Sequence, residues 1–269
     1  MKSFAIGMMM SMVFAASAFA QESAPPPAPA AAGEELRLIN DFASPPFAWT
    51  EGTKRMGFEV DLAAALGKEM GRTIRWIPMS FNIVAFASAL QAKTADAVMS
   101  SMSATPEREK TFIFTRPYFR SSLALATGKD ADFSEADFRG GLEGMKVGVL
   151  KRTTGEDWAK ANLRATRVTY DSPVRLARAL NNKEVEYILL DEDILIGVLA
   201  RQAYKFKIVK RNLSSEDYAI AVRLGNQALA DGISAALEKL DAAGSYDDIY
   251  NTWFGRKTDL PPYKRLFRR

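Results

Sequence analysis

The sequence of 269 residues contains no cysteine and no histidine. Without cysteine there is no disulfide, no thiolate nucleophile and no attachment of haem or lipid through sulfur. Without histidine there is no Ser-His-Asp triad and no zinc or non-haem iron site of the usual kind. An enzyme built from this chain would have to use carboxylates, lysine, tyrosine or backbone dipoles. We therefore expect neither a metal nor a cofactor.

The chain also has little net charge, because its 36 Lys and Arg exceed its 32 Asp and Glu by four. These basic residues are spread along the sequence, which argues against nucleic-acid binding. The exception is a basic tail at residues 257–269, which we expect to be an unstructured end rather than a membrane-binding patch. An apolar share of 48% is ample for a packed core.

The first twenty residues have the layout of a secretory signal peptide. Lys2 precedes the apolar stretch 4–14, and the small residues Ala18 and Ala20 predict cleavage after Ala20. The stretch is shorter than the roughly 20 residues of a membrane span, which favours a cleaved peptide (residues 1–20) over an uncleaved anchor. Residues 21–34 are rich in proline and alanine and predict an extended tether. We expect an exported protein.

Hydrophobic periodicity predicts the same succession of elements twice. Strand, helix, strand, helix, strand run through residues 36–99 and again through residues 146–190. This alternation is typical of a parallel sheet with crossover helices. Long strands predicted at 119–127 and 217–223 would carry the chain into a second unit and back.

The predicted fold is therefore α/β with two lobes, each a sheet with flanking helices. Lobe 1 comprises residues 35–121 and 219–256, and lobe 2 comprises residues 122–218. Ligands of open α/β sheets bind at the carboxyl ends of the strands, and two such edges would face each other here. Four loops are expected to meet in the cleft between them: 40–49, 99–108, 150–155 and 190–193.

The loop before residue 108 has the chemistry of an anion receptor. Thr105 is a good N-cap, so Arg108 falls in the first turn of a helix, near its positive end. The hydroxyls of Ser100, Ser101 and Ser103 precede it. A guanidinium beside free amides suits a carboxylate. The alternative is that Arg108 pairs with Glu107 or Glu109 at the surface.

The second half of the chain has polar groups at the ends of two predicted strands. Thr153 and Thr154 lie in a strand-to-helix turn and could bind an anion, or could simply cap the helix. Asp191 ends a buried strand and could bind an ammonium group, or could be a charge that the helix dipole favours. An anion receptor and an ammonium receptor across one cleft would together fit a zwitterion, which is an α-amino acid.

Several motifs occur in a specific order between residues 36 and 255. They are Pro46-Phe47, Gly57 to Leu62, Asp96 to Ser103, Thr105 to Arg108, Phe114 to Tyr118, Val147 to Val149, Thr153-Thr154, Gly244 to Tyr246 and Trp253-Phe254. The chain thereby resembles the periplasmic solute-binding proteins of polar amino-acid ABC transporters, the family 3 group with histidine-, lysine/arginine/ornithine- and glutamine-binding proteins. The resemblance implies a type II periplasmic-binding-protein clamshell joined by two extended hinge crossings.

The resemblance also implies roles for single residues. Arg108 matches the arginine that binds the ligand α-carboxylate, helped by Ser103 and the Thr154 turn. Asp191 matches the acid that binds the α-ammonium, assisted by Ser101. Asp41 and Ser100 match positions that face the ligand side chain. The partners implied are an amino acid and an inner-membrane ABC permease, and the protein is expected to be a periplasmic monomer that closes its lobes on the ligand.

Two departures from the family pattern leave the ligand open. Ser44 stands where relatives often have a stacking aromatic, so that wall would come from Phe47, Trp49 or Phe81 instead. Arg152 stands where glycine is usual and would favour an acidic ligand, whereas Asp41 favours a basic or amide one. The alternatives to a transport protein are a cyclohexadienyl dehydratase-like enzyme and a sensor or accessory domain of the same fold.

Overall fold

A computed structural model describes residues 34–201 and 205–255 of the chain. The predicted signal peptide, almost all of the tether and the basic tail lie outside these residues. Within them, no helix is both long enough and apolar enough to cross a membrane.

The first part of the chain forms a larger number of strands than predicted. Its elements are β1 (Glu35–Asn40), β2 (Ala43–Ser44), β3 (Ala48–Glu51), β4 (Lys54–Met56), α1 (Phe58–Met70), β5 (Thr73–Pro78), α2 (Ile83–Gln91), β6 (Ala97–Val98), α3 (Pro106–Glu109) and β7 (Phe112–Ser121). The β2–β4 segments form a small antiparallel sheet that the sequence did not predict.

The second part repeats the plan and then returns to the first. Its elements are β8 (Leu123–Gly128), α4 (Glu135–Arg139), β9 (Lys146–Leu150), α5 (Thr154–Asn162), β10 (Thr166–Tyr170), α6 (Pro173–Asn181), β11 (Tyr187–Asp191), α7 (Glu192–Arg201) and β12 (Phe206–Lys210). The last described elements are β13 (Glu216–Arg223), α8 (Gln227–Ala242) and α9 (Ser245–Phe254).

Two five-stranded sheets of the same design form the two lobes. The first has the order β5-β1-β6-β13-β7 and the second the order β10-β9-β11-β8-β12. In each sheet the first three strands are parallel and the last two are antiparallel to their neighbours. The fourth strand of each sheet adjoins a crossing between the lobes. The predicted two-lobed α/β fold is thereby confirmed.

The first crossing divides a predicted strand, and the return crossing lies at a different place from that predicted. The predicted strand 119–127 is divided at Ser122, because β7 pairs with β13 up to Ser121 whereas β8 pairs with β11 from Leu123 onwards. The return crossing is formed by residues 211–215, and all of β13 belongs to the first sheet. The predicted lobe boundary at 218/219 therefore falls inside a strand.

An aromatic cluster anchors the core of lobe 1. The ring of Phe47 lies 4.8 Å from that of Phe119 and 5.5 Å from that of Phe254, measured between centroids. Gly57 precedes α1 with φ at 130°, and a Cβ there would lie 2.2 Å from the Phe47 carbonyl oxygen. Glycine is therefore required for α1 to start against this loop. Through this packing, Phe254 holds α9 against the core of lobe 1.

Candidate amino-acid binding cleft

A cavity of about 330 Å³ lies between the carboxyl ends of the strands of the two lobes. Ten of the eleven predicted site residues line it: Asp41, Phe81, Ser100, Ser101, Ser103, Arg108, Arg152, Thr153, Thr154 and Asp191. The four predicted loops thus meet at one place, as the strand-end rule requires.

Arg108 supplies a buried positive charge to this cavity. Thr105 caps α3 by accepting a hydrogen bond from the Arg108 backbone N–H at 3.3 Å, which fixes where the side chain leaves the helix. Nη1 of Arg108 donates to the Ser103 carbonyl at 2.9 Å. Among the described residues, the guanidinium forms no ion pair, so the alternative pairing with Glu107 or Glu109 is wrong. Burial lowers the pKa of Arg108, and Glu216 and Asp191 oppose this effect.

The start of α5 faces the same cavity from lobe 2. Thr153 is the N-cap, since its hydroxyl accepts from the Glu156 N–H at 3.4 Å and donates to the Leu150 carbonyl at 2.8 Å. Thr154 is the first helical residue, and the first-turn amides of a helix have no intrahelical acceptor. These amides and the guanidinium of Arg108 make this part of the cavity suitable for an anion.

Asp191 supplies a carboxylate at the end of β11. The hydroxyl of Tyr218, on β13 of the other lobe, donates to Asp191 Oδ1 at 2.6 Å. Burial raises the pKa of Asp191 to about 7, with a further increase from Glu216, while the Tyr218 hydrogen bond acts in the opposite direction. A cationic ligand group would compensate this partly buried carboxylate.

Asp41 supplies a second carboxylate, at the end of β1. Its backbone N–H donates to the Ser100 hydroxyl at 3.2 Å, and its Oδ1 accepts from the Ala43 N–H at 3.2 Å. Burial raises the pKa of Asp41 to about 7, and the charge of Glu59 adds to the increase. Asp41 is therefore a second place for a ligand cation.

Glu59 was not predicted as a site residue but organises the loops that carry the site. Its fully buried carboxylate accepts from Asn40 Nδ2 and the Ser101 N–H, each at 2.6 Å, and from the hydroxyls of Ser101 and Tyr118. These bonds hold Ser101 at a φ of 47°, which a serine rarely adopts. Burial raises the pKa of Glu59, although the same hydrogen bonds lower it.

Of the three aromatic residues predicted to form a wall of the ligand cavity, Phe47, Trp49 and Phe81, only Phe81 lines it. Phe81 lines the cavity, and the Arg108 guanidinium carbon lies 5.7 Å from the centre of its ring. The prediction for Phe47 is wrong: its side chain is 0% exposed and lies in the core of lobe 1, because its loop turns inward against α1. Trp49 lines a separate, smaller cavity. Ser44 faces the main cavity and leaves space where an aromatic would stand.

Two cations lie at the lobe 2 side of the cavity. Arg152 is exposed and has φ at 60°, and its backbone N–H donates to Glu156 at 2.6 Å. The amine of Lys151 forms an ion pair with Asp171 at 3.0 Å. The charge of Lys151 is thereby offset within the protein. Arg152 is thus more exposed than the two aspartates that line the same cavity.

Further lining residues were not predicted as site residues. They are Ser80, Asn82, Leu150, Lys151, Tyr170, Asp171, Pro173 and Ile194, together with Ser44. Tyr170 ends a strand that the sequence predicted at 167–170 and Asp171 follows it, so the strand-end rule could have found both. The described residues include no group of three or more Asp and Glu arranged to hold a metal ion.

Comparisons with known proteins show the family to which the chain belongs. Residues 36–256 match the model of the bacterial extracellular solute-binding proteins, family 3. The "Putative ABC transporter arginine-binding protein 2" of Escherichia coli K12 is 34% identical over 84% of this chain and 93% of its own length. The "Arginine-binding periplasmic protein" of Mannheimia haemolytica is 31% identical over 82% and 91%.

A solved structure titled "An ancestral arginine-binding protein bound to arginine" is similar in fold as well. It is 31% identical, has a TM-score of 0.75, and covers 82% of this chain and 98% of its own. Because the family model spans nearly all of the described residues, the resemblance predicted from the motifs is confirmed. The chain belongs to the bacterial extracellular solute-binding proteins, family 3.

Proposed function

We propose that the protein captures a cationic L-amino acid, arginine before others, for an ABC importer. The observation that supports this proposal is that one cavity is lined by a buried arginine without an ion-pair partner among the described residues and by two partly buried aspartates. Arginine carries one negative and two positive groups, so its charges match this set one to one.

The ligand orientation follows from the position of the charges. The α-carboxylate would bind Arg108 and the first-turn amides of α5, which offer a two-pronged guanidinium and free N–H groups. The α-ammonium would bind Asp191, which is held by Tyr218. The side-chain cation would then bind Asp41. At about 1.5–3 kcal/mol for each charge-assisted hydrogen bond, these contacts can exceed the roughly 8 kcal/mol of micromolar affinity before ordering costs.

The two basic residues at the rim of the cavity, Lys151 and Arg152, do not favour an acidic ligand. Lys151 is paired with Asp171, and Arg152 is exposed, so neither presents an unpaired buried charge to an acidic side chain. The relatives described above carry names that specify arginine binding, which supports the same choice. Those names and the family also favour a binding protein over the enzyme and sensor alternatives.

Isothermal titration calorimetry with the purified protein tests the proposal. L-arginine should bind in the micromolar range or tighter, and citrulline, its neutral near-isostere, should bind at least about tenfold more weakly because Asp41 loses its partner. The variant Asp41→Asn should reduce this difference between the two ligands. No heat with any of the twenty amino acids, ornithine or citrulline would contradict the proposal.

Export and partners are part of the same proposal. The protein would lose residues 1–20 during secretion, remain a monomer in the periplasm and deliver its ligand to an inner-membrane ABC permease. Mass spectrometry of the exported protein should give a chain that begins at Gln21. A chain that keeps Met1 after export would contradict the cleavage, although not the ligand.

A further inference from the structure

The two lobes touch each other beside the ligand cavity, at a contact made by a helix glycine. Gly197 lies in the middle of α7 and is buried. A Cβ at this position would lie 2.2 Å from the carbonyl oxygen of Pro45 and 2.6 Å from Cδ of Pro46. Real Cβ atoms do not approach other atoms so closely. The helix of lobe 2 therefore packs directly on a backbone carbonyl of lobe 1.

This contact continues the wall of the cavity. Ser44 and Ile194 line the cavity, from lobe 1 and lobe 2 respectively. Pro45 is the next residue after Ser44, and Gly197 lies about one helical turn beyond Ile194. On the other side of the contact, Val174 and Val198 of lobe 2 line a cavity of about 180 Å³ with Phe42, Ala43, Pro45, Trp49 and Thr50 of lobe 1. Gly197 thus lies between the ligand cavity and this second, smaller cavity.

Glycine at this position has a cost for the helix itself. A glycine in a helix interior destabilises it by about 1 kcal/mol relative to alanine. The neighbourhood of Gly232, in the interior of α8, shows what an unconstrained helix glycine looks like, since the nearest atom to a Cβ there would be Met70 Cε at 4.0 Å. Gly197 differs because the opposite lobe occupies the space of its side chain.

We propose that Gly197 is a positioning residue that allows the lobes to close around the ligand. Any side chain at 197 holds α7 away from Pro45 and keeps the walls of the cavity apart, so that the groups on lobe 1 and lobe 2 cannot bind one ligand together. This inference rests on the proposed function. The apparent dissociation constant then rises in proportion as the closed fraction falls.

Three variants test the proposal, with L-arginine as the titrated ligand. Gly197→Ala should raise the dissociation constant about tenfold or more, and Gly197→Val should raise it further, because the closed state becomes less populated. Gly232→Ala is the matched control, since it makes the same substitution inside a helix but meets no atom closer than 4.0 Å, and its affinity should equal that of the parent protein.

A distance measurement separates closure from loss of contacts. The chain contains no cysteine, so Lys54→Cys on lobe 1 and Arg178→Cys on lobe 2, both exposed positions, can carry spin labels without background. Saturating arginine should shift the distance distribution in the parent and in the Gly232→Ala variant. In the Gly197→Ala variant the same shift should need about tenfold more arginine, or more, in line with its higher dissociation constant.

The following results would overturn the role proposed for Gly197. Parent-like affinity and a parent-like distance shift in Gly197→Ala would overturn the proposal while leaving the function intact. Loss of helical circular dichroism in ligand-free Gly197→Ala would overturn it too, because the contact would then be a permanent part of the packing. If the parent protein binds no arginine, the proposed function fails and this inference falls with it.

Discussion

At the scale of single residues, the site consists of a few charges whose partners are missing or weak within the described protein. Arg108 is about nine-tenths buried and is held by a carbonyl rather than a carboxylate. Its guanidinium is therefore available to a ligand, and its burial makes each hydrogen bond it forms stronger than at the surface.

The substitution Arg108→Ala should remove arginine binding. Loss of the two-pronged contact costs at least about 3 kcal/mol, or about a hundredfold in dissociation constant. Arg108→Lys should recover part of the affinity, since it keeps the charge but not the planar geometry. The control Arg75→Ala removes an exposed ion pair between Arg75 of β5 and Glu35 of β1 and should leave calorimetric affinity unchanged. Intact affinity in Arg108→Ala would contradict the assignment.

Glu59 acts through the loops that it holds. The substitution Glu59→Gln replaces one carboxylate oxygen by an amide that faces donors, so at least one buried donor is left unsatisfied. We expect the free energy of unfolding to fall by about 1–3 kcal/mol and arginine affinity to fall as well. Urea denaturation with and without arginine measures both. Exposed Glu109→Gln is the control, and wild-type stability in Glu59→Gln would show that the network does not depend on the charge.

Binding should depend on pH because of Asp41 and Asp191. Both carboxyl groups have a pKa of about 7 in the structure, where Glu59 faces the first, and Glu216 and Asp193 face the second. Both must be ionised to bind a cation, so lowering the pH from 8 to 6 should weaken binding, by at most about tenfold per pH unit and group.

Calorimetry in buffers of different ionisation enthalpy measures this effect. Near pH 6.5 binding should release protons, and the release should decrease in Asp41→Asn, which keeps one of the two titrating groups. The ligand-free protein should itself lose stability as the pH rises from about 4 to 7, because these groups have a higher pKa folded than unfolded. A dissociation constant that is flat from pH 6 to 8 would contradict the argument.

At the scale of elements, the ends of strands and the starts of helices place the binding groups. The carboxylates of Asp41 and Asp191 follow β1 and end β11, while the N-termini of α3 and α5 present Arg108 and the Thr154 amide. Local capping determines these directions. The hydroxyls of Thr105 and Thr153 each accept a hydrogen bond from the backbone N–H of the third residue of the helix, which fixes the direction of the first turn.

The cap of α5 can be tested separately from the ligand. Thr153→Ala should lower the free energy of unfolding by about 1 kcal/mol. It should also weaken arginine binding several-fold, because the first-turn amides lose their alignment. Thr153→Ser keeps the hydroxyl and should behave like the parent in thermal denaturation and in calorimetry. If Thr153→Ala and Thr153→Ser were equal in both measurements, the hydroxyl would have no such role.

At the scale of the whole molecule, two similar lobes bring side chains of opposite charge to one cavity, where a single ligand can contact them all. A ligand that bridges both lobes stabilises the folded protein through its own affinity. At 100 times its dissociation constant, arginine should add about 2.7 kcal/mol, which raises the melting temperature of a chain of this size by about 5–10 °C. Differential scanning calorimetry measures the shift. The same concentration should shift Arg108→Ala much less, and an equal shift there would indicate non-specific stabilisation.

Much of this arrangement could be predicted because it is local. The alternation of strands and helices follows from hydrophobic periodicity, and the strand-end rule brought Asp41, Arg108, Thr153 and Asp191 to one cavity. The place of the return crossing, at residues 211–215, and the small β2–β4 sheet could not be predicted in this way, because they depend on which distant strand each segment pairs with.

The sequence by itself therefore determined the family, the two-lobed α/β plan and the loops that meet in the cleft, since these depend on spacing along the chain. Tertiary structure alone decided that Phe47 faces the core rather than a ligand, that Glu59 holds Ser101, and that Gly197 meets Pro45. The physical reason is the same in each case. The direction of a side chain, and the distance between residues far apart in sequence, are set by packing rather than by neighbours along the chain.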